Sequence, residues 1–178
     1  MPNINRMGTV YVPTGNPDTV NVAALYAGGE LGVAYDWVDR AYQIVKVDSG
    51  AATIAALAAN QLLYWKSRSQ YIVTTDSAQA QGGTGGTNQF RNEVAGVLRC
   101  AATSGYYIHM LIRGRRIPIV SSAAAFVVGD WVVPHTTAPQ VITCTAGTAP
   151  GVIPVGTCAV ANAGTSPVYV DVDLTNIP

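Results

Sequence analysis

The chain has 178 residues, of which 49% are apolar and only 11% charged, with 10 basic residues against 10 acidic. An ordinary soluble domain carries about a quarter charged residues, so a sizeable part of this surface is expected to be covered by partners. Zero net charge argues against a general nucleic-acid binder, which needs a basic footprint to displace counterions from phosphates.

Residues 1–29 read as an extended arm, with Pro2, Pro13 and Pro17 and one short strand candidate, Thr9 to Val12. The backbone of Val10, Tyr11 and Val12 could add an edge strand to a partner, and residues 1–19 are expected to be dispensable for folding. The opening residues hold no apolar h-region of a signal peptide, and no run reaches membrane-spanning length, so no membrane partner is expected.

A first lobe is expected over 30–116. Gly32-Val33-Ala34 is a turn leading into the alternating run Tyr42 to Val47. Ala51 to Ala59, with Ile54 and Leu57 three apart, suits a short helical turn packing one end of a barrel. Leu62 to Trp65 and Tyr71 to Thr75 read as a hairpin. The insertion at 79–89 contains Gly82, Gly83, Gly85 and Gly86; it lacks the G-K-[ST] ending of a phosphate loop, so a contact loop is favoured over a nucleotide site. Tyr106 to Ile112 closes the lobe, with His109 in an outward polar slot. Arg113-Gly114-Arg115-Arg116 is the basic cluster of the connection that follows. It reads either as a docking patch for an acidic protein surface or nucleic acid, or as a solvated linker.

The second lobe, 117–178, repeats the first. At a spacing of 69 residues, Leu57 falls on Phe126, Leu62 on Trp131, Ile72 on Val141 and Thr74 on Thr143. The spacing drops to 60 for Gly96 and Gly156, then to 62 for Tyr107 and Tyr169. Ser121 to Val128 matches the Ala-rich turn, and Gly129-Asp130 is a turn signal in which glycine permits positive φ and the aspartate accepts hydrogen bonds. In Val168 to Leu174 carboxylates alternate with valines, so one face is solvated and the other buried. The expected fold is all-β: two small barrel- or sandwich-like lobes of short strands, with the arm ahead of them. The segments 57–75 and 126–144 should form superimposable hairpins, with Leu62 and Trp131 in the same environment.

A repeated hairpin unit points to a structural or binding scaffold, because a catalytic constellation rarely occurs twice in one small domain. Cys100, Cys144 and Cys158 form no C-x-x-C pair. Free thiols are expected, with a Cys144–Cys158 bridge as the alternative. Cys100 and His109 lack an orienting third group, so no catalytic residue, metal or cofactor is expected. Trp37, Trp65 and Trp131 read as packing residues.

The combination of Ala123 to Val133, Val141 to Thr145 and Val155-Gly156 with the matching Leu57 to Trp65, Tyr71 to Thr75 and Ala95-Gly96-Val97 resembles the small head-decoration proteins of tailed bacteriophages. The resemblance spans about residues 30–174. It implies a β-rich capsomer-binding protein, often a trimer, that is made in the host cytoplasm and cements neighbouring major capsid subunits on the virion surface, with no enzymatic activity. The arm and the 79–89 insertion depart from the simplest such proteins. The partner-binding candidates are Val10, Tyr11 and Val12, the glycines 82, 83, 85 and 86, and Arg113, Arg115 and Arg116. The rival reading is a carbohydrate-binding β-module of a phage tail or surface protein, stacking sugars on Tyr64, Trp65, Tyr106 and Tyr107.

Overall fold

Val, Ile and Tyr suit a pleated strand; they alternate with exposed residues over Val168–Asp173 and stand in continuous buried runs elsewhere. A computed structural model describes residues 16–24, 31–49, 57–76, 94–122, 124–135, 139–144 and 154–174. The chain is nearly all β, with a closed five-stranded barrel and further strands outside it.

The barrel is made of β3 (Arg40–Val47), β4 (Leu62–Ser67), β5 (Ile72–Thr74), β6 (Val94–Val97) and the first half of the long β7 (Tyr107–Ile119). β3 runs parallel to β5, β5 pairs antiparallel with β4, β4 with β6, and β6 with β7; β7 then returns to β3 and closes the ring. Closure removes the free edges that an open sheet exposes. Residues of β4 alternate between two cores. Leu63 and Trp65 pack with Val45, Val47, Val73, Ile108 and Met110 inside the barrel, while Leu62 and Tyr64 join Ile117, Ile119, Phe126 and Val132 in a second core. Both faces of the strand are therefore apolar, each large side chain contributing about 1.5–3 kcal/mol of burial. β2 (Ala34–Trp37) extends the sheet beyond β3.

Outside the barrel the sheet continues through β11 (Val168–Asp173), β10 (Gly156–Cys158), β8 (Trp131–Pro134) and β9 (Val141–Cys144), starting from the second half of β7. Val141 makes a parallel bridge to Ser121, just past the end of β7. β7 thus belongs to both groups, and a boundary at 116–117 falls inside it. Arg113 to Arg116 lie in this strand and not in a connection, which corrects the linker reading. The second Ala-rich segment is not helical where it is described; Phe126 instead bridges to Asn162. Most of the first falls outside the described residues.

Hairpins form at β4–β5 and β8–β9, but they do not match residue for residue: β4–β5 is bulged between Trp65 and Ser67 and sets Val73 opposite Trp65, whereas β8–β9 is regular and sets Val141, one residue off the expected spacing, opposite Pro134. The turn ahead of each is alike in its bonding. Asn60 and Gly129 take positive φ, of 69° and 90°, and donate to Leu98 and Cys158 carbonyls at 2.6 and 2.9 Å. Their environments differ, however: Leu62 is 0% exposed and Trp131 44%. Leu62 points out of the barrel onto the second core, whereas Trp131 is left uncovered at the start of β8, ahead of a buried Val133.

The end of the arm is not free either, for a 3-10 turn at Pro17–Thr19 is followed by β1 (Asn21–Val22), which pairs with β7 at Tyr107 and Ile108. Asp18 accepts from Arg40 at 2.6 Å, from the Tyr42 hydroxyl at 2.9 Å and from Arg99 at 3.3 Å. Burial, the largest cause, together with the Asp18 carboxylate pushes the Tyr42 phenol up to about 12. Residues 1–19 are therefore not dispensable as a block, because removing Asp18 would take the carboxylate from Arg40 and the acceptor from the Tyr42 hydroxyl, and would leave Arg99 on the Asn60 side-chain oxygen. Asp18→Ala is expected to cost about 2–3 kcal/mol. Breaking a buried pair costs ~3–5 kcal/mol, and the partial exposure of Arg40 reduces that. At ~2–4 °C per kcal/mol for a chain of this size, calorimetry should record a lower melting temperature. An unchanged one would show that this network does not hold the arm.

Candidate interaction surface

The uncovered face begins at a defect in β7. The register of β7 against β11 shifts between Val170 and Val172, because two residues, Arg115 and Arg116, stand opposite the single Asp171. Arg116 takes a φ of 50° there. Its N–H is lost to the ladder and donates to Asp171 Oδ1 at 2.9 Å, so the carboxylate compensates the bulge. This turns the arginines out of the sheet beside the acidic side of β11.

β11 alternates strictly, with Val168, Val170 and Val172 buried and Tyr169, Asp171 and Asp173 exposed. Across the strands Asp171 stands opposite Thr157, and Thr157 opposite Trp131. The outward row Trp131, Thr157, Asp171 therefore leads to the arginines of β7. Together with Asp39, Arg113, Arg115 and Asp173 it lines an open groove of about 720 Å³. Tyr169, 44% exposed like Trp131, adjoins the row. Arg113 reaches Asp36 at 2.8 Å, but both side chains are open to water, so the pair adds little stability. Trp, Tyr and Arg are the side chains that concentrate binding energy at protein contacts.

Val127 and Val128, in the turn entering β8, are also exposed. Asp130 holds that turn, accepting from the Val127 N–H at 3.0 Å and the Thr143 hydroxyl at 3.1 Å, as its turn signal implies.

Of the sequence-based candidates, Arg113 and Arg115 line this groove, and Arg116 is exposed beside them with its N–H on Asp171. Val10, Tyr11, Val12 and Gly82, Gly83, Gly85 and Gly86 lie outside the described residues. Trp131, expected in packing, is instead the largest exposed ring of the face; Trp65 is buried as expected. Tyr64 is buried as well, and Tyr106 and Tyr107 are half-buried, so these four do not present one open stacking platform.

His109 is not an outward slot: it is 4% exposed, and its Nδ1 shares a 2.5 Å hydrogen bond with the Tyr35 hydroxyl. Burial pushes its pKa down to about 4. Cys100 donates to the Val20 carbonyl, and burial raises its thiol above the ordinary value. A neutral thiol and a neutral imidazole with separate partners do not make an activated nucleophile. No disulfide joins Cys100, Cys144 or Cys158. Among the described residues no three His, Cys, Asp or Glu side chains stand together to hold a metal ion, and no helix is long and apolar enough to cross a membrane. Compared with known proteins, the chain matches no protein-family model and no curated protein.

Proposed function

We propose that this protein is a structural component of a tailed-phage head, binding the outer surface of the assembled capsid as a homo-oligomer and holding neighbouring major capsid subunits together. The observation that carries the reading is an uncovered sheet face with Trp131 and Tyr169 beside arginines and aspartates, on a chain with few charges to keep copies apart. The resemblance to head-decoration proteins supplies the partner. Selective binding to the assembled shell lowers the free energy of that state, and many identical contacts add avidity even when each is modest.

Attachment is assigned to residues 1–15 and the 79–89 insertion, which leaves Asp18 and β1 in place on the barrel. Deleting residues 1–15 should leave the melting temperature unchanged and weaken co-sedimentation with purified heads at least tenfold. Wild-type protein that fails to sediment with heads rejects the capsid reading; a truncated protein that binds as tightly as the full chain rejects the arm as tether.

The second reading, glycan binding, is favoured by one feature: the exposed Trp131 stands across from the Thr157–Asp171 pair, where a sugar could stack and hydrogen-bond. Retention on a glycan array that Trp131→Ala abolishes would select it.

A further inference from the structure

We propose that the groove between the β2–β3 turn and the outward face of β8, β10 and β11 is a saccharide site, and that its ligand is an uncharged oligosaccharide bound along its length. The proposal goes beyond the capsid reading, whose attachment is assigned to residues 1–15 and the 79–89 insertion. It rests on the glycan reading and narrows that reading to one class of sugar.

Strand register builds the site. Trp131, Thr157 and Asp171 stand directly opposite one another on β8, β10 and β11, so their side chains share one face. Beyond Asp171 the bulge of β7 adds Arg115 to the same lining. Three steps of ~4.8 Å between neighbouring strands make this row about 14 Å long, which exceeds a single pyranose ring. The groove is open and measures about 720 Å³, within the ~300–1,000 Å³ of small-ligand sites. A chain of sugars can therefore lie across the strands, where an enclosed cavity would admit only its end.

Trp131 supplies the apolar platform. Its cross-strand neighbours, Thr157 and Cys144, are both small, and the ring is 44% exposed. The C–H face of a pyranose covers such a ring without burying a hydroxyl.

The polar groups beside the ring suit hydroxyls. Asp171 accepts the Arg116 N–H on Oδ1. Among the described residues its Oδ2, the Thr157 hydroxyl and the Arg115 guanidinium have no partner. A carboxylate that only accepts thus stands beside a guanidinium that only donates. A sugar hydroxyl does both, so neighbouring hydroxyls on one ring can donate to Asp171 while accepting from Arg115, each bond strengthened by the charge.

The balance of charge selects the class of sugar. The lining carries Asp39, Asp171 and Asp173 beside Arg113 and Arg115, and Arg113 is already held by Asp36 at 2.8 Å. A uronate, sialate or sulfate brought to Arg115 also faces the carboxylates, and an ammonium brought to the carboxylates also faces the arginines. A ligand without charge meets both signs without repulsion.

The test is calorimetric titration of the full chain, with no capsid present. The neutral probes are maltotetraose, cellotetraose, mannotetraose and chitotetraose; the acidic ones are oligogalacturonate, oligosialate and a heparin fragment. At least one neutral probe should bind, about tenfold or more tightly than any acidic one, with an affinity that added salt leaves unchanged. Trp131→Ala should weaken that binding about tenfold or more, and Arg115→Gln, which keeps a donor but loses the charge, about fivefold. Arg115 is exposed, so its substitution reads the site even if Trp131→Ala lowers the melting temperature. Acidic probes that bind as tightly as neutral ones, or an affinity that falls as salt rises, overturn the proposal and leave the glycan reading standing. Binding that survives both substitutions places the sugar outside this groove and overturns the proposal as well. If no probe of either kind binds, the proposal and the glycan reading fail together, while the capsid reading stands on its own test with purified heads.

Discussion

Gly156→Ala is expected to destabilise the protein by about 3 kcal/mol or more, whereas Gly129→Ala should cost only about 1 kcal/mol. The two glycines do different work. A methyl group on Gly156 would lie 2.0 Å from the Asp171 carbonyl oxygen, a backbone atom fixed by the β10–β11 ladder and unable to swing aside. Relief requires β10 and β11 to part, which disturbs Val170 and Val172 in the core beneath. At Gly129 nothing lies within 4 Å of the added carbon, so the cost is confined to holding an alanine at a φ of 90°. Urea denaturation of both variants checks the contrast. Equal losses would mean that the approach of β10 to β11 is looser than the geometry gives.

Gly96 occupies the related place in the barrel, where an added carbon would meet the Leu111 carbonyl oxygen at 2.6 Å and the flexible Met110 side chain at 2.4 Å. Gly96→Ala should therefore also destabilise, by less than Gly156→Ala because the methionine can move. The sequence places this pair at matching positions, but a small-residue turn is expected there and both glycines lie in strands, β6 and β10. Their role as a close backbone approach was not legible, since spacing alone does not separate a turn glycine from one pressed against a neighbouring strand.

The all-β class followed from the period-2 run at Val168 to Leu174 and from short apolar runs between turn signals, continuous in β4 and β8, which mark the hairpins. Residues that depend on what lies across the sheet did not follow. β4 is apolar on both faces because it has a core on each side, and β8 carries Trp131 at the matching position without a cover; a tryptophan looks the same in sequence whether its face is occupied or waiting. The docking of Asp18 was hidden for another reason. Arg40 and Tyr42 on β3 and Arg99 after β6 come from segments far apart in the chain, and a lone aspartate within a Pro-rich stretch gives no local signal of that convergence. The bulge at Arg115–Arg116 carries no glycine at the residue with positive φ, so a run of arginines read as a linker. For the interaction surface, the alternation in Val168 to Leu174 already marked Tyr169, Asp171 and Asp173 as one outward row; only the strand register joins Trp131 to it.

Acid should weaken the fold through His109. In the native state burial pushes its pKa down to about 4, while in the unfolded chain it titrates near ~6.5. The unfolded state therefore binds a proton first, and the stability tied to the neutral imidazole is complete above about pH 6.5 and lost as the pH falls towards 4. The difference between the two values amounts to about 3 kcal/mol at ~1.4 kcal/mol per pK unit, most of it lost by pH 4. Tyr35 gives the imidazole a partner without charge, its hydroxyl at 2.5 Å and its ring edge-on to the histidine, so nothing in that pair offsets the cost of burying a cation. His109→Gln keeps a polar group for the Tyr35 hydroxyl and removes the titration. Unfolding free energies of wild type and variant, measured between pH 7.5 and pH 4, should converge as the pH falls, because the wild type loses this contribution and the variant has none to lose. A constant difference between them across that range would mean that His109 titrates alike in both states and that its burial costs the cation nothing.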